Sequence, residues 1–208
     1  MFRPSPYEAL QVLPPEEREL SGKERLLLAS GPLLSWYRRE KRDLPWRENR
    51  DPYRIWISEI MLQQTRVAAV LDYYQRFMAA LPTVEALAAV EEDRLMKLWQ
   101  GLGYYNRARN LRKAAQQITG ECGGRFPDTY EGLLALAGVG EYTAGAIASI
   151  AFGIPVPAVD GNVLRVVTRL TADPSDILAA STKKRITAAL QQVIPTAQPG
   201  QFNQAMME

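Results

Sequence analysis

The sequence predicts an all-α protein, and three observations predict it. Apolar residues return at intervals of three and four along most of the chain. Capping residues precede those runs, and glycine or proline follows them. No segment shows the strict alternation of a half-buried strand, and no internal repeat is visible.

The elements follow in order. Residues 1–21 are rich in Pro and Glu and read as a flexible N-terminal tail. Asp51-Pro52 supplies an N-cap with proline at the first helical position, and the helix it opens carries Trp56, Ile57, Ile60 and Met61 on one face. Thr65 is placed to cap the next helix, where Val67, Val70, Leu71, Tyr74, Phe77, Met78 and Leu81 recur at three and four. Pro82-Thr83 starts a short helix, and Gly101 and Gly103 punctuate the end of the one after it. A helix through about Arg107–Thr119 stops at Gly120, read as a C′ glycine. Ala144, Gly145, Ala146 and Ala148 give a later helix a small-residue surface suited to close packing. Asp160-Gly161-Asn162 opens a helix through Leu170, and Ser181-Thr182 opens another that ends near Pro195. Gln201 to Glu208 looks like a helix start with nothing to close it. The polypeptide therefore reads as cut short, the alternative being a frayed terminal helix.

Composition narrows the chemistry. At 208 residues and 47% hydrophobic content, the chain can bury one sizeable core or two small ones. The net charge of +2 makes it no polycation, so contact with nucleic acid would need local basic patches. The absence of histidine excludes Ser-His and Cys-His nucleophiles and histidine metal sites. One cysteine, Cys122, allows no internal disulfide or multi-thiolate cluster and suits a reducing compartment. No apolar run reaches spanning length and Met1 to Pro6 has no signal-peptide core, so a soluble, cytoplasmic protein is expected.

Three motifs carry chemistry. Leu136-Ala137-Gly138-Val139-Gly140-Glu141-Tyr142-Thr143-Ala144 is a glycine hairpin between two helical stretches. Its glycines permit positive φ and close approach, and the following helix N-terminus attracts a phosphate. A lone GxG is equally an ordinary helix–helix turn. Glu59 shares a helical row with Ile55, Leu62 and Gln63, so partial withdrawal from water would raise its pKa and fit it as a general acid. Composition alone favours a surface glutamate. Asp160 stands at a helix mouth, where the dipole favours the ionised form and a cationic sugar could be stabilised. A plain N-cap is the alternative. Together the two carboxylates are equipment for breaking a glycosidic bond, and the hairpin assigns the sugar to DNA. Arg107, Arg109, Arg112 and Lys113 follow Tyr104 and Tyr105 with no acid among them, which suits phosphate contact and stacking, or simply a solvated helix face.

These motifs, with Leu44-Pro45-Trp46-Arg47, Ser58 to Thr65, Gly101 to Tyr105 and Ala108-Arg109-Asn110-Leu111, resemble the helix–hairpin–helix DNA glycosylase superfamily. Within it they look most similar to adenine DNA glycosylases of the MutY type, over about Leu44 to Glu208. The resemblance implies a monofunctional enzyme of base excision repair that hydrolyses the N-glycosidic bond of adenine mispaired with 8-oxoguanine or guanine and leaves an abasic site. Glu59 would protonate the leaving base, Asp160 would stabilise or transiently bond the sugar, and Asn162 would support both. Tyr142 stands where endonuclease III-type relatives carry a lysine, and it cannot form a Schiff base.

Gln63, Gln64 and Thr65 would wedge into the gap left by the flipped base, which is unreachable inside the stack. Tyr104, Arg109, Leu136, Gly138, Val139, Gly140 and Thr143 complete the DNA-binding set. A polar joining turn is the plain reading of Gln63-Gln64-Thr65. The partner would be double-stranded DNA with A:8-oxoguanine or A:G mispairs, met by a monomer without a membrane.

The family fold implies a six-helix module over 44–154. A second helical module, made from 22–43 and 155–208, would face it across the active-site cleft. A [4Fe-4S] cluster would be expected beyond Glu208, with an 8-oxoguanine-reading domain after it. Cys122 alone cannot hold a cluster, so this chain would bind no cofactor or metal. Three alternatives stay open: an endonuclease III-like lyase, a non-catalytic helix–hairpin–helix binding module, and a chain unable to fold without its missing helices.

Overall fold

A computed structural model describes residues 20–208; residues 1–19 of the expected tail lie outside them. All regular structure among the described residues is helical. Helix α1 (Gly22–Glu40) opens on a capping box that the sequence reading did not use. The Glu24 N–H donates to Ser21 Oγ, and the Ser21 N–H donates back to the Glu24 carboxylate at 2.8 Å. A short 3₁₀ turn, Pro45–Arg47, leads into α2 (Pro52–Leu62), where Asp51 accepts from the Tyr53 N–H at 2.9 Å. Then come α3 (Val67–Ala80), α4 (Val84–Ala89, capped by Thr83), α5 (Glu92–Trp99) and α6 (Asn106–Glu121). Helices α7 (Tyr130–Leu134) and α8 (Glu141–Ala151) form the hairpin, and α9 (Gly161–Thr171), α10 (Ala180–Val193) and α11 (Pro199–Met207) complete the chain.

Two apolar cores organise these helices. The first gathers Trp56, Tyr74, Phe77, Leu95, Trp99 and Leu111 from α2 to α6, with Ile147 from α8. The second gathers Leu26 and Leu34 of α1 with Val163, Val167, Leu190 and Phe202. Helix α8 bridges them, packing on α2 on one side and on α11 on the other. Glycines on α8 and on α11 permit the close approaches along this seam. A Cβ on Gly145 would sit 2.8 Å from the Pro157 carbonyl oxygen, and one on Gly200 would meet Ile150 Cα at 2.7 Å. Buried Asn203 locks the seam: it accepts from the Ala158 N–H and donates to Ser149 Oγ and the Val156 carbonyl. The segment that ends at Asp160 is thereby fixed against α8.

Local details differ from the sequence reading in three places. Thr65 does not cap α3; Arg66 holds the N-cap position without a side-chain bond, and the Thr65 hydroxyl donates to the Gln63 carbonyl across a turn in which Gln64 takes φ 57°. Helix α6 runs through Gly120, because Gly123 and Gly124 take the positive φ that ends it and the Gly124 N–H returns to the Ile118 carbonyl. Between Leu44 and Ile154 there are seven α-helices rather than six, counting the five-residue α7 that Thr129 caps.

Candidate active site

Glu59 projects from the last turn of α2 and is 8% exposed. Burial pushes its carboxyl up to about 7; the Tyr142 hydroxyl bond and the Arg47 charge pull downward, while the Asp160 charge pushes up. The Tyr142 hydroxyl lies 2.8 Å from Glu59 Oε2 and 3.0 Å from Met207 Sδ. A phenol has one proton to give. When Glu59 is ionised that proton belongs to the carboxylate; when Glu59 is protonated, the acid can donate to the phenol oxygen while the phenol turns to the sulfur. Burial and the neighbouring carboxylates raise the Tyr142 phenol far above its ordinary value, so it stays neutral.

Asp160 occupies the N-cap of α9, half-buried. Its Oδ1 accepts from the Val163 N–H at 2.8 Å, and its Oδ2 accepts from Asn162 Nδ2 at 3.0 Å. Asn162 is oriented in turn, because its Oδ1 accepts from Arg165. All four residues expected to be catalytic thus meet in one cleft. A cavity of about 320 Å³ and an adjoining one of about 610 Å³ share Glu59, Leu62, Tyr142, Asp160 and Asn162 in their walls. The first is within the range of small-ligand sites.

Sequence reasoning missed one wall of this cleft. Glu208, at the end of α11, accepts from the Arg42 N–H and Nε, both at 2.8 Å, and from Arg47 Nη2 at 2.8 Å. Burial opposes ionisation of Glu208, but the bonds from Arg42 and Arg47 outweigh it and hold the carboxyl down at about 2. Arg42, Arg47, Gln204 and Met207 line the same cavity as Glu59. The partners are some 160 residues apart in the chain, so no local pattern could reveal them.

The residues expected to touch DNA divide into groups. Gln63, Gln64 and Tyr104 border the larger cavity beside Glu59, and Thr65 borders the smaller one. Gln63 Nε2 donates to Thr143 Oγ1 at 3.4 Å, and Tyr104 is 65% exposed. In the hairpin, Gly138 takes φ 74°, and a Cβ there would lie 2.6 Å from Asn110 Cβ. Gly140 is the N-cap of α8 with no side-chain cap and open space where a Cβ would be. Leu136, Val139 and Thr143 are buried. Arg109 is not a free cation: Glu92 of α5 accepts from its Nε at 2.9 Å.

No helix among the described residues is long and apolar enough to cross a membrane. Cys122 is an exposed free thiol, and the described residues hold no cluster of three or more metal-ligand side chains. The residues present do not fit an iron–sulfur cluster, since one thiolate cannot supply its ligands.

A glycine hairpin beside a cleft with two carboxylates, in an all-helical fold, defines the helix–hairpin–helix class of base-excision proteins. Residues 57–196 match the family model of the HhH-GPD superfamily base excision DNA repair proteins, and the chain belongs to that superfamily. Within it, the chain is similar to adenine DNA glycosylases: 48% identical over 185 residues to that of Rattus norvegicus, covering 85% of this chain and 36% of the relative. It is 48% identical over 187 residues to that of Homo sapiens (86% and 34% covered) and 38% over 177 residues to that of Buchnera aphidicola subsp. Acyrthosiphon pisum (85% and 51% covered). The chain therefore spans about a third of the mammalian relatives and half of the bacterial one. Among solved structures, a thermostable thymine-DNA glycosylase superposes with TM-score 0.78 at 27% identity, covering 88% of this chain and 85% of that one. A trapped endonuclease III–DNA covalent intermediate gives TM-score 0.73 at 25% identity, covering 89% and 84%.

Proposed function

We propose that this cleft hydrolyses the N-glycosidic bond of adenine mispaired with 8-oxoguanine or guanine in double-stranded DNA, as a monofunctional glycosylase of base excision repair. The observation that carries the reading is Glu59, a buried carboxyl raised to about 7, facing the same cavity as Asp160. The similarity to adenine DNA glycosylases supports the choice of base.

Each residue then has a task. Protonated Glu59 donates to a ring nitrogen of the adenine as the bond from C1′ breaks, and the electron pair leaves with the base. Asp160, held by the Val163 N–H and Asn162, faces the sugar as a carboxylate and stabilises its oxocarbenium character. Water adds to C1′ and its proton returns to Glu59. Arg42 and Arg47, which line the cavity and are held by the Glu208 carboxylate, present donors to an edge of the base. The hairpin offers main-chain N–H groups at the α8 N-terminus to a phosphate, which positions the duplex without reading sequence.

Among the described residues no lysine lines either part of the cleft, and Tyr142 holds a neutral phenol there. This favours hydrolysis over the endonuclease III-like lyase alternative. A non-catalytic binding module would leave a buried, destabilising Glu59 without purpose. A cytoplasmic monomer suits this role. The test is a panel of duplexes. Adenine release from A:8-oxoguanine and A:G but not A:T, with strands intact until hot alkali and no borohydride adduct, is the expected result. Nicking without alkali together with an adduct would establish the lyase; binding without any base release would establish the binding module.

A further inference from the structure

Arg107, in the first turn of α6, has a role that its place in a basic run conceals. Its Nη1 donates to the carbonyls of Ile60 (2.8 Å), Met61 (3.3 Å) and Gln63 (2.6 Å). Its Nη2 donates to the carbonyls of Leu102 (3.1 Å) and Gly103 (3.3 Å). The guanidinium also lies 5.4 Å from the Trp99 ring centroid and 5.5 Å from that of Tyr104. No carboxylate pairs with it among the described residues.

Those carbonyls belong to two separate segments. One is the end of α2, where the last carbonyls have no intrahelical partner; it leads straight into Gln63 and Gln64. The other carries Gly103 and Tyr104. Each contains a non-glycine residue in the left-handed region, Gln64 at φ 57° and Tyr104 at φ 48°. Such residues persist only where their surroundings hold them. Both loops border the cavity that contains Glu59.

We infer that Arg107 is a positioning residue that clamps the Gln63–Gln64 loop and the Gly103–Tyr104 loop into one rigid element, so that both enter the duplex together when the base is extruded. This rests on the DNA glycosylase reading above. Arginine is required because a planar fork reaches two loops at once, whereas a lysine ammonium is a single point of donation.

The clamp is tested on the protein alone by hydrogen exchange in wild type, Arg107→Met and Arg107→Lys. Arg107→Met should speed exchange in residues 62–65 and 102–105 together, and Arg107→Lys should restore at most one loop. Unchanged exchange, or a change in one loop only with Met, would overturn the clamp. Its consequence is read with 2-aminopurine beside the target adenine. In the folded Arg107→Met protein, duplex affinity should change little while the fluorescence rise on binding is lost and single-turnover base release falls on the order of 10²-fold. A variant that binds and extrudes as wild type does would refute the positioning role. A wild type that neither extrudes nor releases adenine would instead refute the glycosylase reading, while hydrogen exchange still decides the clamp.

Discussion

Removing one hydroxyl, by Tyr142→Phe, should move the pH dependence of base release in a direction the geometry fixes. Burial raises the Glu59 carboxyl to about 7 even though the Tyr142 hydroxyl works downward by donating to the charged form at 2.8 Å. Phenylalanine keeps the ring and the burial but removes that downward influence. A hydrogen bond to a charged group is worth about 1.5–3 kcal/mol, and each pKa unit about 1.4 kcal/mol. The carboxyl should therefore rise by about one to two units. Glu59 works while protonated, so the alkaline limb of the rate profile should shift upward by the same amount, whatever happens to the absolute rate. The assay is single-turnover adenine release between pH 5 and 9.5 on an A:8-oxoguanine duplex. A limb that stays in place, or moves toward acid, would show that Tyr142 does not govern the proton on Glu59.

Two stability predictions accompany it. Glu59 binds its proton more tightly folded than unfolded, so its contribution is complete below its ordinary 4.5 and is lost as the pH rises to about 7. Glu59→Gln should accordingly stabilise the protein by on the order of 3 kcal/mol at pH 8 and by little at pH 4; equal unfolding midpoints for variant and wild type at pH 8 would contradict this. Gly138→Ala meets both a φ of 74° and a contact of 2.6 Å with Asn110 Cβ. It should cost about 2–4 kcal/mol in urea unfolding and weaken duplex binding, and a neutral variant would mean the hairpin can relax.

What the sequence revealed was local. Asp160 and the hairpin glycines were legible because a cap and a tight turn are decided within a few residues, and the row of Ile55, Glu59 and Leu62 already suggested a withdrawn carboxyl. The rest depended on partners distant in the chain. Arg109 looked free because no acid occurs in 101–120, yet Glu92 reaches it from the preceding helix. Arg107 looked like a phosphate ligand and instead caps carbonyls 44–47 residues earlier. Thr143 follows the hairpin in sequence but faces the core, because position three of α8 points toward α2. The bonds of Glu208 to Arg42 and Arg47 join opposite ends of the described chain and had no signal at all.

The central claim is that Glu59 and Asp160 together break a glycosidic bond to adenine. Single-turnover release of adenine from an A:8-oxoguanine duplex, with wild type, Glu59→Gln and Asp160→Asn compared at equal duplex occupancy, tests it most directly. The account predicts release by wild type and a loss of about 10²–10⁴-fold in each variant with binding retained. Release at the wild-type rate by Asp160→Asn or by Glu59→Gln would contradict it.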